Sequence, residues 1–152
     1  MKLIISSLFL LIFATLTFAH ENRTREAIFE EYFLAGSALA NDSLKDVADA
    51  AQRLEHFASE AKHEMKDYQE EFQVVSSEAA KISASKNLES ARTAYSRISE
   101  TLIPLKAALK IKADKYYCPM LKKTWLQKDP KIQNPYMGKS MASCGEKKTR
   151  AS

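Results

Sequence analysis

Between Gly36 and Pro104 the chain contains neither glycine nor proline, the two residues that most strongly punctuate local structure. A β-rich fold needs both in its turns, so a run this long without a breaker predicts helices joined by short polar links. The hydrophobic spacing agrees. Ile28, Tyr32, Ala35 and Leu39 recur at steps of four and three, which places them on one helical face. A second stripe runs through Leu44, Val47, Ala51, Leu54, Ala58, Ala61 and Met65. Ser43, with Asp46 three residues on, supplies a capping-box-like start for it. Tyr68, Phe72, Val75, Ala79 and Ile82 form a third stripe, either separate from the second or bent away from it near Lys66-Asp67. The fourth is the longest: Leu88, Ala91, Tyr95, Ile98, Leu102, Leu105 and Leu109, with Ser85 or Asn87 available as its cap. Pro104 lies inside it and is expected to kink it. Helices with one apolar stripe each pack as an up-down bundle. The predicted fold class is all-α, an antiparallel bundle of three to four helices over residues 20–110.

After Lys110 the pattern breaks. Three of the four prolines, both cysteines, three of the five methionines and the single tryptophan fall in this part of the chain. No period is sustained there. Residues 111–145 are therefore expected to form an irregular Cys/Met lobe packed on the bundle, pinned by Trp125, Leu126, Ile132 and Tyr136, by a disulfide, or by a metal. Residues 146–152 read as a disordered, frayed tail.

At the other end, Lys2 precedes a charge-free apolar run from Leu3 to Phe18, and Thr17-Phe18-Ala19 offers a small residue for signal peptidase. The 16-residue run is shorter than the roughly 20 residues of a spanning helix. Residues 1–19 thus read as a cleavable signal peptide, the protein as periplasmic or secreted, and the mature chain as lacking a stable membrane span. Charge divides sharply along the rest. Residues 20–110 carry 12 basic and 16 acidic side chains, residues 111–152 carry 10 basic and 3 acidic. The basic lobe suits docking on an acidic body, an acidic partner or an anionic surface. Nucleic acid is a poor partner for an exported protein.

The lobe also concentrates soft sulfur: Cys118, Met120, Met137, Met141 and Cys144. Thiolates and thioethers select Cu(I) or Ag(I) over harder ions. Cys118-Pro119-Met120 spaces two sulfurs two residues apart on a stiff link, and Met141 and Cys144 are close enough to share one turn. Against this stands the default for two cysteines in a small exported protein, a Cys118–Cys144 disulfide. Closing a loop of about 26 residues would add roughly 3 kcal/mol of stability on chain-entropy grounds. Geometry separates the two: sulfurs about 2 Å apart are bonded, whereas about 3.5–4 Å suits two ligands of one ion.

The histidines are less informative. His56 and His63 lie two turns apart among charged neighbours. His20 would become the N-terminal residue after cleavage, where its amine and imidazole could chelate copper, as in an oxidative copper enzyme. No further histidines are placed to complete such a site. There is no phosphate-binding glycine loop, no His-Glu-x-x-His and no nucleophile elbow, so an enzyme is not expected.

The lobe motif Tyr116-Tyr117-Cys118-Pro119-Met120, Trp125-Leu126, Ile132-Gln133-Asn134-Pro135-Tyr136-Met137-Gly138-Lys139-Ser140-Met141 and Cys144-Gly145 resembles the signature of a small exported bacterial family of unknown function. That family occurs alone or attached to adaptor subunits of copper/silver efflux pumps. Ala38-Leu39-Ala40-Asn41-Asp42, and Ala91-Arg92 through Ser99, are similar to it as well. The Tyr-x-Cys-Pro-Met fragment also resembles the opening of heavy-metal-binding modules, which close on a Cys-Gly-Met turn. Here Glu146 follows Gly145, and Met141 would have to substitute. The resemblance implies a metal ion as cargo and the periplasmic part of a heavy-metal efflux system as partner.

Overall fold

The computed structural model describes residues 2–148, with side chains described at His20 and from Asn22 onward. Four helices lead: α1 (Lys2–Ala40), α2 (Leu44–Glu64), α3 (Gln69–Ser83) and α4 (Leu88–Ala108). Each packs on the next, α4 also touches α1, and the four stripes meet in one core. Ile28, Tyr32, Leu39, Leu54, Phe72, Ile82, Ile98 and Leu102 are all sealed from solvent.

The boundaries follow from local chemistry. Asp42 sits in the left-handed region (φ 54°), and the Asp42 and Ser43 N–H groups bond back to Leu39 and Ala38. This Schellman turn ends α1 and satisfies carbonyls that the helix leaves open. Ser43 then caps α2, its Oγ accepting from the Asp46 N–H. The second and third stripes belong to separate helices, divided by a 3₁₀ turn at Lys66–Tyr68. Asn87, rather than Ser85, caps α4, with Oδ1 accepting from Ser90 N–H at 2.9 Å. α4 runs on through Pro104 and closes in a second Schellman turn at Lys110 (φ 55°).

The lobe corrects the all-α expectation. Asp114–Cys118 (β1) and Lys123–Gln127 (β2) form an antiparallel hairpin, and Glu146–Lys148 (β3) pairs on the other side of β1, giving the order β2-β1-β3. Composition concealed these strands because each is only three to five residues long and β3 is wholly exposed. Period-two alternation needs more length than that to stand out. β3 also takes up the first part of the expected frayed tail, whereas residues 149–152 lie outside the described residues. The connection from β2 to β3 keeps an irregular course, apart from a 3₁₀ turn at Gly138–Met141.

The proposed signal peptide, residues 1–19, is helical in backbone from Lys2, but its side chains lie outside the described residues. Among the described residues no helix is long and apolar enough to cross a membrane.

β2 packs on α4 and α1. Trp125, Leu126 and Tyr136 are buried in that contact and Ile132 is partly so. Aromatic rings continue the core into the sheet: Tyr32 stacks on Tyr95 (4.8 Å), Tyr95 meets Tyr136 (6.0 Å), and Trp125 meets Tyr136 edge-on (6.0 Å). Hydrogen bonds reinforce the same joint. The Tyr32 hydroxyl pairs with Ser99 Oγ (2.7 Å) and accepts from the Leu126 N–H (3.1 Å). The Tyr136 hydroxyl reaches the Thr124 carbonyl (2.7 Å) and Ser99 Oγ (3.2 Å). Burial drives the pKa of Tyr32, Tyr95 and Tyr136 upward, so all three stay neutral donors.

Candidate soft-metal site

Cys118 ends β1, and the four residues after it form the hairpin turn, with Lys122 at φ 53° to close it. Cys144 stands just before Gly145 and β3, so the pairing of β3 with β1 brings the second sulfur beside the first. Gly145 holds φ 149°, and a Cβ there would collide with the Trp125 ring at 2.7 Å, so the approach to β3 depends on glycine. The two Sγ atoms are 3.9 Å apart and both thiols are free.

Asn134 holds the pair together. It is fully buried, its Nδ2 donates to the Cys144 carbonyl (2.6 Å), and its own N–H bonds to the Ala142 carbonyl (2.7 Å). Its Oδ1 accepts from the Tyr136 N–H (2.9 Å), which ties the sulfur pair to the bundle joint. Nothing in composition marks this residue, although an Asn-Pro dipeptide does signal a turn.

The thiols are electrostatically unequal. Burial of Cys118 by itself would raise its pKa. The Leu121 N–H, the Asn134 amide, the Cys144 thiol and the Met120 N–H outweigh that and hold it below the ordinary value. Cys144 moves up, through desolvation first and then through the hydrogen bond and charge of Cys118. Cys118 is therefore the more acidic of the two thiols, and Cys144 the less acidic.

The methionines are disposed unequally too. Met120 is 62% exposed in the hairpin turn and Met141 38% exposed in the 3₁₀ turn, where the Cys144 N–H bonds to the Met141 carbonyl (2.9 Å). Met137 is partly buried against the core. Among the described residues no three His, Cys, Asp or Glu side chains are grouped to hold an ion. His20 lies within α1 and pairs with Glu64 Oε1 (2.9 Å).

A second cluster clamps the lobe from outside. Arg92 of α4 donates to the carbonyls of Pro135 (3.0 Å) and Leu39 (3.0 Å) and to Asp42 Oδ1 (2.5 Å). Asp42 Oδ2 accepts from the Lys139 N–H (2.9 Å). Gly138, at φ 62°, lies so close that a Cβ there would strike the Asp42 carboxylate and Arg92.

Comparison with curated proteins finds no match, and neither does comparison with solved structures. A family model does match, over residues 28–114, which run from the middle of α1 to the first residue of β1. The sulfur pair lies beyond the matched residues. The match covers most of the bundle and more than half of the chain, so this protein belongs to DUF3347, a family of proteins of unknown function.

Proposed function

We propose that the protein is an exported soft-metal-binding protein that takes up Cu(I) or Ag(I) at Cys118 and Cys144 and holds it or hands it on without catalysing a reaction. The observation that carries this reading is the 3.9 Å separation of two free sulfurs. With metal–sulfur bonds of about 2.3 Å, that spacing corresponds to an S–metal–S angle of about 116°. A linear two-coordinate ion would need about 4.6 Å between the sulfurs. The spacing therefore suits a three- or four-coordinate ion with one or two added donors. Met120 and Met141, both exposed beside the cysteines in sequence, are the first candidates, and Met137 the third. Export rests on the N-terminal pattern. The link to a periplasmic heavy-metal efflux system rests on the resemblance of the lobe motif.

Titration of Cu(I) into the reduced protein against a chromogenic competitor tests the reading. The Cys118→Ser/Cys144→Ser double variant should lose high-affinity binding, and Met120→Leu and Met141→Leu should each weaken it by roughly tenfold. Unchanged affinity in the double variant would end the proposal.

The proximity of the two cysteines also supports one alternative, a helical binding or structural module stapled by a Cys118–Cys144 disulfide. The sulfurs would need to close by about 1.9 Å to bond. In that case the basic surface carrying Lys122, Lys123, Lys128, Lys131 and Lys139 would meet an acidic partner or a membrane. Thiol counting on protein taken directly from its compartment separates the readings. Unreactive thiols, with no metal bound after reduction, favour the staple.

A further inference from the structure

On the side of the bundle where α1 passes the link from α4 to β1, a cavity of about 340 Å³ is lined by basic side chains from three separate parts of the chain. Arg25 comes from α1, Lys110 and Lys112 from the link, and Lys128 from just beyond β2. Two carboxylates, Glu26 and Glu30, share the lining. Glu30 is engaged by Lys128 in an ion pair. That leaves Arg25, Lys110 and Lys112 against Glu26, and none of these three cations has an ion-pair partner among the described residues.

Arg25 adds a second, independent sign. Its Nε is buried and has no hydrogen-bond acceptor among the described residues. A buried donor without an acceptor is costly, and a guanidinium donor calls for an anionic oxygen. The Schellman turn at Lys110 fixes the backbone that carries Lys110 and Lys112 past the α1 face.

We infer that this cavity is an anion site for a phosphate group, with Arg25 Nε as the buried anchor and the Lys110 and Lys112 ammonium groups closing over it. A tetrahedral oxyanion offers several acceptors at once, which fits one guanidinium edge and two mobile ammonium arms converging from different elements. The site is separate from the sulfur pair and does not depend on metal binding. The phosphate can be free in solution or part of an anionic lipid headgroup.

The test follows the Arg25 Nε–H and Lys112 amide signals by proton–nitrogen NMR as inorganic phosphate is added to the full chain, at constant ionic strength held with chloride. Sedimentation with phosphatidylglycerol vesicles, and phosphatidylcholine vesicles as control, forms the second arm. Saturable shifts at both groups, weakened at least about tenfold in Arg25→Gln and in Lys110→Gln/Lys112→Gln, support the site with a soluble phosphate. No response to phosphate, but Arg25-dependent sedimentation with phosphatidylglycerol alone, supports it with a lipid source. Shifts or sedimentation equal in the wild type and in the doubly substituted lysine variant overturn it. Because both lysines are exposed, that variant keeps the test decisive even if Arg25→Gln folds poorly.

Discussion

Cys118 and Cys144 share one hydrogen bond, so their protons leave as a coupled pair rather than independently. Cys118 is held low and Cys144 pushed up, which predicts two steps in thiolate absorbance, the first from Cys118 and the second from Cys144. Asn134→Ala removes the amide that bonds the Cys118 sulfur and the Cys144 carbonyl, so the first step should move upward. An unchanged titration would show that Asn134 does not set the acidity of the pair. This residue was invisible in the sequence because its role is a matter of burial: a polar side chain in a polar loop carries no periodic signal. The cysteines were legible because their chemistry is rare, and the positions around them because sulfur clusters there.

Among the elements, the lobe depends on the contact of the α1–α2 turn and α4 with the segment after Pro135. The Lys139 N–H first, and the Arg92 guanidinium next, hold the Asp42 carboxyl below its usual range. A carboxyl lowered by folding adds stability above its unfolded pKa of about 4 and loses it as the pH falls through the lowered folded value. Acidification below about pH 4 should therefore loosen the lobe, seen in the emission of Trp125, the single tryptophan, which is buried at the joint. Asp42→Asn should abolish that acid step while lowering stability at neutral pH. Gly138→Ala meets both a left-handed backbone and a collision with the same carboxylate, and should cost about 1–3 kcal/mol in chemical denaturation. The helices themselves were readable in advance, since stripes of four to seven apolar residues, two of them opened by a side-chain cap, leave little choice of structure. The short strands were not, because their pairing joins residues up to 33 positions apart, as in Lys115 with Lys148.

For the molecule as a whole, the Tyr32, Ser99 and Tyr136 hydroxyls join bundle and sheet through buried hydrogen bonds. Unfolding should then be one transition, with Trp125 fluorescence and far-ultraviolet circular dichroism coinciding. Tyr32→Phe strands the Leu126 N–H and should cost about 1–3 kcal/mol, with the Trp125 signal melting ahead of the helices. The bundle is local in sequence, its helices following one another through short turns, whereas the thiol pair is closed only when β3 lies down beside β1. A chain emerging N-terminus first can complete all four helices before Cys144 has been made. Until that last stretch is made, its two sulfurs cannot meet, so the unfinished chain carries a lone thiol and only the finished one a pair.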